Sequence, residues 1–227
     1  MEIRYATISK TGRRHNNEDA YKVIDMSPNN RFMGIVCDGV GGHSFGETAS
    51  ETVCNTISDF WKKHIDTPDC DSKVKIACKK ASCAIDQKAF ELHHVEMGTT
   101  MVMVSIENDV ATIAHIGDSR CYVQRPGEGL LYQTKDHIRL DFGWEIVAKC
   151  FFSYNPEVAV PDIRQTKLQT GDRVLLCSDG LYKSMAPDIL RARMMDDKPL
   201  EEILDVYDFL CDKQGDDNYT AILIECF

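Results

Sequence analysis

Three observations about this chain predict an antiparallel α+β fold. Short apolar runs come in neighbouring pairs joined by turn residues, as the strands of hairpins do. Two pairs of stretches with helical apolar spacing interrupt them, one after the third run and one before the last. Strands and helices do not alternate one for one, which argues against a parallel nucleotide-binding sheet.

Residues 3–9 form a strand, closed by the turn 10–12 (KTG). The polar segment 13–19 (RRHNNED) carries Arg14, Glu18 and Asp19 into a second strand, 20–25. A loop at 27–30 (SPNN) leads to a buried strand, 32–37, whose end is Asp38. If these two strands pair, Asp19 at the start of one and Asp38 at the end of the other come to the same edge. Gly39, Gly41 and Gly42 then make a turn that brings the backbone close to something. A helix follows: SFGE at 44–47 has capping-box spacing, Ser44 to Glu47. Ala49, Val53, Ile57, Phe60 or Trp61, and His64 recur along it at helical spacing.

Residues 68–71 break the pattern, and Val74, Ala77, Ala81, Ile85, Ala89 and Leu92 give a second amphipathic helix. His93 and His94 close it, where the helix dipole favours them, and are read as cap-like rather than as metal ligands. Residues 98–106 and 110–116 form a hairpin around the turn 107–109, and GDSR (117–120) interrupts the second strand before 121–124 resumes it. PGEG at 126–129 is a turn and 130–134 a short strand. Residues 137–161 are the least periodic; they predict a short helix around 141–149 and otherwise a loop over the site or a partner surface. Strands 163–168 and 173–177 flank the turn 170–172, and the second delivers Ser178, Asp179 and Gly180. Pro187 and Pro199 each begin a helix, the second with Ile203, Leu204, Tyr207 and Leu210 or Cys211 on its apolar face. Gly215 stops that helix, 216–218 turn, and 220–226 is a closing buried strand.

Nothing between these elements resembles a linker, so residues 1–227 are read as one domain. No apolar run approaches the ~18 residues of a membrane span, and the N-terminus has no apolar signal core, which places the protein in the cytoplasm. The ten cysteines include no CxxC pair, and several lie in strand-like apolar runs, as reduced structural thiols do. A formal charge of −10 without a basic patch excludes a nucleic-acid partner and disfavours a two-metal nuclease.

Asp19, Asp38, Asp118, Asp179 and Asp217 each stand where an apolar strand meets a polar turn. A single such Asp is routine, whereas five suggest convergence. Carboxylates gathered without cations repel one another, so the grouping implies bound positive charge. Oxygen ligands without cysteine or histidine spacing point to Mg²⁺ or Mn²⁺. Two such ions ~3.5–4 Å apart can share a bridging water and generate a nucleophile for attack at phosphorus. Arg14, beside the cluster, can fork a phosphate.

RHNNED (14–19), DGVGGH with GETAS (38–50), GTT (98–100), GDSR (117–120), TKDH (134–137), LLCSDGL (175–181) and DDNYT (216–220) together resemble the PPM family, the metal-dependent type 2C Ser/Thr protein phosphatases, in their bacterial, short single-domain form. The blocks keep the family's order and span nearly the whole chain. The resemblance implies a four-layer α-β-β-α sandwich: two antiparallel sheets flanked by helix pairs, with a dinuclear Mn²⁺ or Mg²⁺ site at one end. It puts Asp19, Asp38, Asp179 and Asp217 at the metal-ligand positions, with the Gly39 carbonyl as a backbone ligand. It makes Arg14 the phosphate-binding arginine, Glu18 a ligand through water, and Asp118, near Thr100, the carboxylate of a third, weaker metal. His43 and Glu47 shape the turn and the helix start. The implied activity is hydrolysis of phosphoserine and phosphothreonine in proteins by a monomer that opposes a Ser/Thr kinase; a catalytically silent phosphoprotein-binding relative is the alternative. Three departures stand out. Val40 occupies the position of the animal members' proposed general acid, which leaves leaving-group protonation to metal-bound water. Lys183, four residues after Asp179, replaces a family Asp or Asn and weakens the third-metal site. The segment 137–162 is shorter than the usual flap, so substrate selection is expected to be unusual.

Overall fold

The computed structural model describes residues 1–26, 30–40, 45–69 and 71–227. Two five-stranded antiparallel sheets form the centre of the fold. One contains β1 (Ile3–Lys10), β7 (Arg120–Arg125), β8 (Gly129–Gln133), β13 (Arg173–Cys177) and β14 (Tyr219–Cys226), in the order β1-β14-β13-β7-β8. The other contains β2 (Asp19–Met26), β3 (Arg31–Asp38), β5 (Met101–Glu107), β6 (Val110–Ile116) and β12 (Asp162–Lys167), in the order β12-β6-β5-β3-β2.

Three apolar clusters mark the interfaces of four layers. Alternation along a strand sends successive side chains to opposite faces. From β3, Phe32 and Val36 join Ile222, Ile224, Val174 and Leu176 between the sheets. Met33, Ile35 and Cys37 of the same strand turn outward to α1 (Gly46–Lys63) and α2 (Asp71–Glu91), meeting Val53, Ile57, Ala77 and Ala81. On the far side, Leu175, Cys177 and Leu223 pack against Leu190 of α4 (Pro187–Met194) and Ile203, Leu204 and Tyr207 of α5 (Leu200–Gln214). Strands buried on both faces lose alternation and read as continuous apolar runs. The expected α+β sandwich is therefore the fold.

Several local expectations change. Residues 117–120 do not interrupt one strand: the chain leaves one sheet at β6 and enters the other at β7, turning on Gly117 at φ +106°. Residues 98–106 are divided into β4 (Gly98–Thr99) and β5, because Thr100 donates its N–H to the Asp38 carbonyl (2.8 Å) and accepts the Asp38 N–H at Oγ1 (3.1 Å). The short helix expected at 141–149 is a hairpin, β9 (Ile138–Asp141) with β10 (Trp144–Val147). Its two-residue turn places Phe142 at φ +48° and Gly143 at φ +88°, the left-handed pair that matches strand twist. Part of the expected loop pairs as well: β11 (Phe151–Phe152) lies antiparallel to β4. Pro199 caps α5 rather than starting it. α1 begins after Phe45, which has φ +80° and gives no side-chain cap; Ser44 of the expected capping box lies outside the described residues, as do His43, Gly41 and Gly42. His93 and His94 follow α2 with left-handed φ, and the His94 N–H donates to the Ala89 carbonyl, as cap-like residues would. The nine described cysteines are free, eight of them buried. No helix among the described residues is long and apolar enough to cross a membrane.

Candidate metal centre

Pairing between β2 and β3 sets Asp19 directly opposite Asp38. Close backbone approaches hold the surrounding turns. A Cβ on Gly39 would lie 2.5 Å from the Gly46 carbonyl oxygen, and one on Gly180 would lie 2.0 Å from that of Asn218. The Gly39 N–H donates to the Glu18 carbonyl (3.0 Å), which ties the Asp38–Gly39 corner to the strand that brings Asp19. Asp179 is the first residue of a one-turn helix, α3 (Asp179–Tyr182), at the end of β13. Asp217 precedes β14.

These elements enclose a cavity of about 400 Å³. Arg14, Glu18, Asp38, Gly39, Thr100, Asp118, Asp179 and Asp217 line it, eight of the nine residues singled out in the sequence. Asp19, the ninth, is buried beneath. Its Oδ2 accepts the Ser178 hydroxyl (2.7 Å), and Ser178 Oγ accepts the Thr220 N–H (2.9 Å). Its Oδ1 is buried with no hydrogen-bond partner.

Charge in the cavity is unevenly balanced. Burial pushes the Asp19 carboxyl up to about 7, against the lowering effect of the Ser178 and Thr220 hydroxyls. Loss of water, then the charges of Asp19, Asp179, Asp118 and Asp217, holds Asp38 well above the carboxylate range. Asp118 is pushed up to about 6, chiefly by burial and then by Asp179. Burial and Glu47 raise Glu18. Three of the acids do have cations, Asp217, Asp179 and Asp118. Arg14 donates from Nη2 to Asp217 Oδ2 (2.8 Å) and from Nε to the Asp216 carbonyl (3.2 Å). Lys183 Nζ lies 2.6 Å from Asp179 Oδ2 and 3.8 Å from Asp118 Oδ2.

An orphaned buried carboxylate oxygen, beside acids whose pKa values burial and mutual repulsion raise, fits a divalent cation, and an all-oxygen donor set fits Mn²⁺ or Mg²⁺. Thr100 Oγ1 is hydrogen-bonded to Ser119 Oγ (2.7 Å), so it braces the floor from behind. Val40 lines the cavity and has no proton to give.

Sequence reasoning missed Ser178, which orients Asp19, and Asn218, which organises the Arg14 loop. Asn218 Oδ1 accepts the Glu18 N–H (2.8 Å), and its Nδ2 donates to the carbonyls of Thr11 and Asn16 (both 2.8 Å). Both stand next to carboxylates in the quoted motifs, and that adjacency was the available signal. The hairpin wall of Glu145, Ile146 and Val147 was missed too, having been read as helix.

The model of a family described as Protein phosphatase 2C matches residues 9–213. The serine/threonine phosphatase stp of Listeria monocytogenes is 28% identical over 93% of this chain and 91% of its own length. The crystal structure of the Mycobacterium tuberculosis serine/threonine phosphatase PstP/Ppp superposes with a TM-score of 0.83 at 25% identity, covering 100% of this chain and 99% of that one. A structure of the PstP catalytic domain in complex with two manganese ions gives 0.80 at 27% identity, covering 98% and 97%.

Proposed function

The chain belongs to the Protein phosphatase 2C family, and from that premise we propose that it hydrolyses phosphoserine and phosphothreonine monoesters in proteins, with two Mn²⁺ or Mg²⁺ ions held by Asp19, Asp38, Asp179, Asp217 and the Gly39 carbonyl. When bound, such ions act as Lewis acids that activate water and neutralise phosphoryl oxygens. The observation that carries the reading is Asp19 Oδ1, buried and without a partner at the foot of a carboxylate-lined cavity.

The chain's own residues divide the remaining work. Arg14, half-exposed at the rim, releases Asp217 to fork the substrate phosphate, and Asn218 keeps its loop in place. Ser178 holds the Asp19 carboxylate in one orientation. Glu18, Asp118 and Thr100 border the position of a third, weaker ion, where the Lys183 ammonium already sits close to Asp118. Phosphate monoesters resist unaided hydrolysis so strongly that enzymes accelerate it by up to ~10²¹, which accounts for so many charges around one oxygen. Residues 1–227 are read as one catalytic domain of a cytoplasmic monomer that opposes a Ser/Thr kinase and binds no nucleic acid.

Phosphate release from a phosphothreonine peptide tests the reading, with Mn²⁺, Mg²⁺ or EDTA and with an Asp179→Asn control. Metal-dependent turnover that the control loses by more than about 100-fold is the expected result. A folded wild-type chain without turnover in either metal would instead favour a silent, phosphoprotein-binding role.

A further inference from the structure

Away from the carboxylate floor, three side chains converge from three segments: His115 near the end of β6, His137 just before β9, and Asp162 at the start of β12. One ligand atom from each lies within 4.8 Å of the others, a convergence of metal-binding side chains among the described residues. The imidazole rings stack with centroids 4.5 Å apart and planes 4° from parallel, so their in-plane lone pairs meet at one ion only after the His137 ring swings out of the stack.

Hydrogen bonding fixes the ring nitrogens. His115 is 2% exposed, and its Nε2 lies 2.9 Å from the Lys135 carbonyl, so Nε2 carries the proton and donates it. Nδ1 is left with a lone pair, buried and without a partner. The Gly117 N–H donates to His137 Nδ1 (3.1 Å), so the neutral ring carries its proton on Nε2. That Nε2 is buried and lies 3.3 Å from Asp162 Oδ2, a close contact that falls short of hydrogen-bond geometry. Five buried side-chain polar atoms among the described residues have no partner; one is Asp19 Oδ1 at the metal centre and two are these nitrogens. The buried His115 Nδ1 lone pair, with no donor, is costly and asks for a missing ion or water.

We propose that His115 Nδ1, His137 Nε2 and an Asp162 oxygen form a second metal site, suited to Zn²⁺ or a similar borderline divalent ion, whose loading is felt at Asp118. Two imidazoles and one carboxylate with an open fourth place suit zinc better than the hard ions of the oxygen-only floor. A backbone carbonyl orienting the far nitrogen of a ligating histidine, as Lys135 does for His115, is the usual outer support of such sites. Asp162 is largely exposed and gives the ion an entry route. Lys149, 3.1 Å from Asp162 Oδ1, is itself partly exposed and yields its place to water. Burial lowers the His137 pKa, which keeps the ring neutral and ready to ligate.

Coupling to the active site follows from proton accounting. Ligation through His137 Nε2 requires the ring proton to move to Nδ1; none is released and no redox step occurs. The Gly117 N–H then faces a second donor and must turn away. Gly117 precedes Asp118, and its carbonyl also accepts the His137 N–H (2.9 Å), so the turn carrying Asp118 shifts and turnover slows.

Equilibrium dialysis of the Mn²⁺-loaded chain against limiting Zn²⁺, with Mn²⁺ in excess, tests the site. One Zn²⁺ per chain is expected to stay with the wild type and with Asp38→Asn, and to bind more than about tenfold more weakly to Asp162→Asn. Asp162 lies at the surface, so that variant folds even if the buried His115→Gln does not. Zn²⁺ is further expected to slow phosphate release by the wild type and to spare Asp162→Asn. Three results would overturn the proposal: no Zn²⁺ retained, Zn²⁺ retained equally by Asp162→Asn, or Zn²⁺ lost from Asp38→Asn, which would place it on the carboxylate floor. Inhibition that persists in Asp162→Asn would remove the link to Asp118.

Discussion

The floor and the wall of the cleft are built on opposite terms. The floor comes from the ends of sheet strands, with Asp19 and Asp38 facing each other in register and their backbone groups bonded to Asn17, Thr99 and Thr100. What it lacks is positive charge at Asp19 and Asp38, since Arg14 and Lys183 reach only Asp217, Asp179 and Asp118. The wall is the β9–β10 hairpin, which turns Glu145, Ile146 and Val147 into the cavity and leaves Leu140, Phe142 and Trp144 outside, Phe142 at 98% exposure and Trp144 at 77%. What it lacks is apolar cover. Cations meet the first need and another molecule meets the second, so the chemistry and the choice of partner are lodged in different elements. Exposed aromatics beside a catalytic cleft are the kind of surface that marks an interaction site.

Asp19→Asn is the hardest test of the floor. If Asp19 holds metal as proposed, turnover of both an aryl phosphate and a phosphopeptide should fall by more than about 100-fold, whatever the substrate. Stability of the metal-free chain should move the other way. The Asp19 carboxyl ionises near 7 in the fold against 3.8 when unperturbed, so the unfolded chain gives up its proton first as pH rises. Asp19 thus favours the metal-free fold below about pH 4, and that contribution is lost by about pH 7. In EDTA, the variant should melt above the wild type at pH 8 by about 2–4 °C for each kcal/mol of relieved repulsion. The gap should close at pH 4. A variant that melts lower at pH 8 would mean that the floor is at ease without metal, and the contrast with the wall would collapse.

Lys183 sits where the floor is already neutralised. Its ammonium contacts Asp179 and Asp118 and competes with any cation for them, but it is half-exposed, so solvent weakens the effect. Lys183→Met should tighten Mn²⁺ binding by only about two- to fivefold in a calorimetric titration. Lys183→Asp should add a third Mn²⁺ per chain. If neither variant changes affinity or stoichiometry, Lys183 is a bystander and the uneven charge balance lacks the meaning given to it.

The floor was legible in the sequence because its requirements are local. An acid at either end of a buried strand beside a glycine or an asparagine puts an apolar run, a carboxylate and a turn together, and Asp38 and Asp179 after their strands and Asp217 before its own all show it. The layers were legible because strands such as β3 are apolar on both faces. The wall was not. Phe142 and Gly143 form the hairpin turn in left-handed conformations, and Phe, unlike Asn or Gly, does not announce such a turn. The crossing at Gly117 was hidden because apolar runs on both sides look the same whether the chain continues in one sheet or passes to its neighbour. The histidine cluster was hidden by distance, since His115, His137 and Asp162 meet only through sheet pairing and the folding back of residues 135–137.

Trp144→Ala has the smallest expected effect and probes the wall alone. An aryl phosphate reaches only the floor, so its turnover should stay within about twofold of the wild type. A phosphopeptide long enough to lie across the hairpin should lose an aromatic contact, and its KM should rise by about fivefold or more with kcat unchanged, the pattern of lost uniform binding. Removing an exposed ring opens no cavity, so thermal stability should hold. If both substrates slow together, the hairpin shapes the floor through Glu145, Ile146 and Val147, and the two regions are one device. If neither changes, the exposed aromatics face something other than the substrate, and selection must be sought in the acidic rim around Glu18 and Asp216 instead.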